Sequence, residues 1–104
     1  MDKPNILLYK KDIDQFCKKN HIDCLSLFGS ILTTNFSSSS DVDFFVKFEK
    51  GFTPNFFDLV DMESELGSII GHKVDLRTPN ELSSYFREEV LSQAKVVYGE
   101  LSFL

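Results

Sequence analysis

Eight residues, Asp41-Val-Asp-Phe-Phe-Val-Lys-Phe48, constrain this chain more than any other stretch. β-Branched and aromatic side chains fill the run, which favours a strand. Two carboxylates interrupt its first half, two residues apart. Strand alternation puts Asp41 and Asp43 on one side, alpha carbons roughly 6.6 Å apart, while Val42, Phe44 and Val46 point the other way. One face of the strand must then be buried and the other must carry two anions. Repulsion and desolvation make that costly, and divalent cations are the obvious way to offset it. Hard oxygen ligands of this kind suit Mg²⁺ or Mn²⁺. An Asp-x-Asp also arises by chance, with one acid ending a loop and the other on an exposed face, so the pair needs company before it means chemistry.

The remaining pattern supplies a frame. Pro4 suits a first helical turn, and Ile6, Tyr9, Ile13 and Phe16 or Cys17 recur at helical spacing, predicting a helix over residues 5 to 19. Cys24 to Phe28 is a short apolar strand running into Gly29. Ser30 to Phe36 lacks strand alternation and is compatible with a short helix, and Ser37 to Ser40 is a loop. Pro54 opens a helix over 55–70, with Phe56, Leu59, Val60, Glu63, Leu66, Ile69 and Ile70 on its mostly apolar stripe, and Gly71 stops it. Lys73 to Arg77 is a third strand. Thr78-Pro79 caps and opens a helix carrying Leu82, Tyr85, Phe86, Val90 and Leu91 to about Gln93, and Lys95 to Tyr98 closes the pattern as a strand.

With 104 residues, 42% of them hydrophobic, and eleven Phe, one domain spanning 1–104 is expected. The strands are too few and too unevenly connected for a doubly wound sheet. The economical packing is an α/β (α+β) domain: a mixed sheet of about four strands with helices mainly on one face. No apolar run approaches the ~20 residues of a membrane span and neither end resembles a signal peptide, so a cytoplasmic protein is expected. Cys17 and Cys24 lack zinc-ligand spacing and read as reduced, half-buried thiols. A net charge of −5 disfavours direct nucleic-acid binding. Two bound divalent cations would bring it to −1, so a metal-bound triphosphate is not excluded.

Company for the acids comes from Leu27-Phe28-Gly29-Ser30. Glycine at a strand end lets backbone approach a phosphate, and the free amides with the Ser30 hydroxyl supply hydrogen bonds to its oxygens. For Gly29-Ser30 and Asp41 to share one site, the first two strands must run antiparallel, which the ten intervening residues allow. Asp75, between Val74 and Leu76, is a third acid in an apolar strand and can join the same cluster. Two ions about 3.5–4 Å apart would clamp the attacking and leaving oxygens of an in-line phosphoryl displacement.

Gly-Ser, ten residues, Asp-Val-Asp, then Lys-Val-Asp-Leu resembles the minimal nucleotidyltransferases (MNT) of the polymerase-beta-like superfamily over roughly residues 6 to 99. The resemblance implies a nucleotidyltransferase fold in which Asp41 and Asp43 hold two Mg²⁺ ions. It implies that Asp75 holds the catalytic ion and orients or deprotonates the acceptor hydroxyl. Gly29 and Ser30 would grip the β and γ phosphates of ATP, with Ser40 as a further phosphate contact. Chains this short in the family look like the MntA-type antitoxins of toxin–antitoxin pairs, which add AMP to a tyrosine of a HEPN ribonuclease toxin.

One departure is visible. Relatives follow Gly-Ser with a basic stretch, whereas this chain has Ile31-Leu32-Thr33-Thr34. Arg77, on the Asp75 face, and Lys47, on the Asp43 face, are the available substitutes, though either also reads as a solvated surface charge. The departure supports a second class of function, a weak or inactive antitoxin that neutralises its toxin by binding, with Phe52, Phe56, Phe57 and the tail Leu101-Ser-Phe-Leu104 as interface material. A third, more distant class is the catalytic module of a larger assembly that modifies a small molecule or nucleic acid. A homo-oligomer is left open. His21 and His72 read as loop residues, and no tyrosine pattern points to a nucleophile, so direct attack on the α phosphate is expected.

Overall fold

The computed structural model describes residues 5–32, 37, 40–78 and 93–99, with the backbone alone for Ser30 and Leu32. A 3₁₀ turn over Ile6–Tyr9 leads into α1, Lys10–Lys19. Together they fill the tract that the helical spacing predicts. α1 buries Ile13, Phe16 and Cys17, one side of the helix. Asn20 ends it by donating from Nδ2 to the Phe16 carbonyl at 2.9 Å, and His21 turns the chain with φ 57°.

Four strands follow: β1 Ile22–Phe28, β2 Val42–Phe48, β3 Val74–Arg77 and β4 Lys95–Gly99. β1 begins two residues earlier than its apolar run implies, because Ile22 is fully buried while Asp23 points out. The sheet order is β3-β2-β1-β4. β1 pairs antiparallel with both β2 and β4, and β2 pairs parallel with β3. The expected four-stranded mixed sheet and its antiparallel first pair are thus present. The parallel pair needs a crossover, which α2, Phe56–Ile70, provides.

Leu25, Leu27, Val42, Phe44, Val46 and Leu76 of the sheet form one core with Ile13 and Phe16 of α1 and Met62, Leu66 and Ile70 of α2. Both helices therefore cover the same face. The opposite face carries the alternate residues, Asp43 and Asp75 among them.

α2 differs in two details from the sequence pattern. Its cap is Asn55, whose side chain accepts from the Asp58 amide at 2.8 Å while the Asp58 carboxylate accepts from the Asn55 amide at 3.0 Å. Pro54 therefore precedes the cap instead of opening the helix. The buried line is Met62, Leu66 and Ile70, whereas Phe56 and Val60 lie outside it. Glu63 leaves the stripe to accept from the Leu76 amide at 2.8 Å, satisfying a donor on edge strand β3. Gly71 ends the helix as expected, with a left-handed φ of 69° and its amide on the Gly67 carbonyl at 2.8 Å.

Cys17 and Cys24 form no disulfide, as expected, but both are fully buried instead of half-buried. Burial pushes the Cys17 thiol up to about 12, which keeps it protonated and unreactive. Among the described residues, no helix is long and apolar enough to cross a membrane. The helix expected after Thr78, the second half of the Ser30–Phe36 segment and the tail Leu101–Leu104 lie outside the described residues.

Candidate functional site

Strand register builds the site. Phe28, last residue of β1, lies opposite Asp43 of β2, and Asp43 lies opposite Asp75 of β3. Paired positions in adjacent strands share a face. The end of β1 and two carboxylates thus form one row across three strands, on the face away from the core. The Phe28 and Phe45 rings meet at 5.4 Å beside them.

Gly29 turns the chain out of β1 with φ 80° and enters a 3₁₀ turn over Gly29–Leu32. A Cβ there would run into Oδ2 of Asp43. The left-handed backbone angle favours glycine, and any side chain would also have to push the Asp43 carboxylate aside. The backbone of Ser30 follows in the same turn, and Ile31 is buried in the core.

Asp41 stands one residue ahead of β2, half-buried. Two bonds from the β3 side hold this segment. The Val42 amide donates to the Lys73 carbonyl at 2.8 Å, and His72 Nε2 donates to the Ser40 carbonyl at 2.7 Å. His72 is thus more than the loop residue its sequence context implies. A single His before a strand carried no signal of a bond 32 residues away. The Ser40 hydroxyl accepts from the Ser37 amide at 3.1 Å, closing the serine loop on itself.

The charges are uneven. Burial first, then Asp75, then Asp41 push the Asp43 carboxyl above its ordinary range, and Arg77 opposes them. Arg77 reaches Oδ2 of Asp75 with Nε at 3.1 Å and Nη2 at 3.0 Å. Of the two substitute cations considered above, Arg77 is at the acids, whereas Lys47 meets Asp23 at 3.6 Å farther along the sheet. Among the described residues, no three His, Cys, Asp or Glu side chains form a ready-made metal cage. The donor set nonetheless fits a hard divalent cation. It is all oxygen, Asp43 and Asp75 occupy paired positions, and the repulsion raising the Asp43 carboxyl is what a bound cation relieves.

A Gly-turn beside paired strand carboxylates suits phosphoryl transfer. Residues 11–101 match the family described as polymerase beta, nucleotidyltransferase. The chain belongs to this nucleotidyltransferase family. It is 30% identical over 90 residues to a protein named for protein adenylyltransferase activity in Methanocaldococcus jannaschii, covering 86% of this chain and 95% of that one.

Among solved structures, a minimal nucleotidyltransferase superposes with a TM-score of 0.73 at 26% identity, covering 90% of this chain and 94% of that one. The fold also matches that of a toxin–antitoxin structure with AMP-PNP, with a TM-score of 0.70 at 22% identity, over 88% and 73% of the two chains. A third match is a tri-AMPylated Shewanella oneidensis HEPN toxin in complex with its MNT antitoxin. Its TM-score is 0.66 at 23% identity, over 90% and 72%.

Proposed function

We propose that this chain acts as a single nucleotidyltransferase domain that moves AMP from ATP to a tyrosine hydroxyl of a HEPN ribonuclease partner, and so serves as its antitoxin. The observation that carries the reading is the placement of Gly29 directly against the Asp43 carboxylate, with Asp75 paired beside it. The family match, the adenylyltransferase relative and the fold shared with MNT antitoxins support it.

In this reading Asp41 and Asp43 would hold two Mg²⁺ ions, and Asp75 would share one of them. The ions would neutralise the triphosphate and the charge that builds on the attacking and leaving oxygens. Amides of the Gly29–Ser30 turn, the Ser30 hydroxyl and Ser40 would grip the outer phosphates, leaving the α phosphate at the carboxylates. Asp75 would orient the acceptor hydroxyl and accept its proton. The acceptor oxygen bonds to the α phosphorus, the bond to the β-phosphate oxygen breaks, and pyrophosphate leaves. Direct attack by the acceptor hydroxyl needs no covalent enzyme intermediate in this scheme.

A second reading, neutralisation by binding alone, draws on two observations. Ile31, next after Gly29-Ser30, is an apolar residue buried in the core, and Phe56 and Phe57 are 71% and 75% exposed. Inhibition of the partner's ribonuclease separates the two. Transfer predicts relief that needs ATP and persists after the antitoxin is removed. Inhibition without nucleotide that survives Asp41→Asn supports binding alone.

A further inference from the structure

Ile31-Leu32-Thr33-Thr34, after Gly29-Ser30, bring no cation to the turn, so positive charge beside the acids must come from another element. β3 supplies it. Asp75 and Arg77 are two apart on a strand and share its outward face, and Arg77 lies opposite Phe45, two paired positions beyond Asp43. The guanidinium holds one Asp75 oxygen with two nitrogens. Its side chain remains half-exposed, 50% against 30% for Asp75. Its influence reaches Asp43 as well, where it offsets part of the repulsion from the other acids.

Accepting the metal-site reading above, we infer that Arg77 is the built-in counter-cation of the acidic row. It shields Asp75 before divalent ions bind, and it presents the cation that faces the triphosphate once they have. The two roles pull in opposite directions. A fixed positive charge beside the carboxylates opposes a divalent ion, whereas the planar fork of a guanidinium attracts phosphate oxygens. Losing Arg77 should therefore tighten metal binding and weaken nucleotide binding. A residue that merely supports the fold would weaken both.

The test measures Mn²⁺ binding to nucleotide-free protein by electron paramagnetic resonance. It then measures binding of a non-hydrolysable ATP analogue at saturating Mn²⁺. Wild type, Arg77→Gln and Arg77→Lys are compared, with Lys18→Gln removing one exposed positive charge from α1 as a control. Circular dichroism checks folding. Arg77→Gln is expected to bind Mn²⁺ roughly three- to tenfold more tightly and the analogue roughly tenfold more weakly, from removal of one charge and one bidentate phosphate contact. Arg77→Lys should lie between, and Lys18→Gln should match wild type. Weaker Mn²⁺ binding in Arg77→Gln, or unchanged affinity for both ligands, would overturn the proposal. Asp43→Asn separates the levels: wild-type Mn²⁺ binding that this variant leaves intact would sink the metal-site reading and this proposal with it. Asp43-dependent binding with no Arg77 effect would sink the proposal alone.

Discussion

Gly29 and Asp43 are the pair on which the site turns. Replacing Gly29 by Ala sets a methyl group against Oδ2 of Asp43 at a φ that side chains rarely adopt. Nucleotide transfer should fall on the order of 10²–10³-fold, comparable to losing a preorganised donor to the reacting phosphates. Circular dichroism should remain that of a folded chain. Asp43 gives an opposite effect on stability. Its carboxyl is raised on folding, by burial ahead of its acidic neighbours. A group shifted this way contributes stability that is complete below its unfolded value and is lost as pH climbs through the raised folded value. With metal chelated, Asp43→Asn should therefore melt roughly 2–5 °C above wild type at pH 7.5. The gap should narrow toward pH 4.5 as Asp43 takes up its proton. An equal or lower melting temperature at pH 7.5 would contradict the assignment of Asp43 as a crowded acid. Both residues were legible in the sequence, since Asp-x-Asp and Gly-Ser carry their chemistry in residue type and spacing. Arg77 and His72 were not. Arg77 was one of two candidate cations until the Asp75 pairing was seen, and the His72 bond to Ser40 joins segments that only the fold brings together.

At the scale of elements, the strands were easier to read than the helix boundaries. β2 and β3 announce themselves by apolar residues flanking an acid, and the antiparallel course of β1 and β2 follows from requiring one site. The in-register pairing of Asp43 with Asp75 did not follow, because register between parallel strands is set by how α2 packs on the sheet. α2 also shows why the stripe was misplaced. Phe56 and Val60 fit helical periodicity, yet the residues rotated into the core are Met62, Leu66 and Ile70. The cap was missed because Pro54 drew the start forward, while the Asn55–Asp58 reciprocal pair is the true signal. Asn55→Ala should destabilise the fold by about 1 kcal/mol. Urea unfolding would show this as a lower midpoint with an unchanged slope, and an unaltered midpoint would mean that packing alone sets the start of α2.

For the whole molecule, the core on one face and the acids on the other divide the labour between stability and chemistry. One face of the sheet is sealed by α1 and α2, and the other keeps Asp43, Asp75 and Arg77 at least partly accessible. Residue pattern made this division predictable, but it left the acceptor undetermined, since a fold fixes a reacting centre and not what is brought to it. The central claim is that the site formed by Gly29, Asp41, Asp43 and Asp75 transfers AMP to a partner protein. Purified chain, Mg²⁺, α-labelled ATP and a HEPN partner protein should give label that migrates with the partner. The label should disappear with Asp41→Asn, Asp43→Asn or a chelator. Labelling that persists in all three cases, or partner left unlabelled by a folded and nucleotide-bound wild type, would contradict the account.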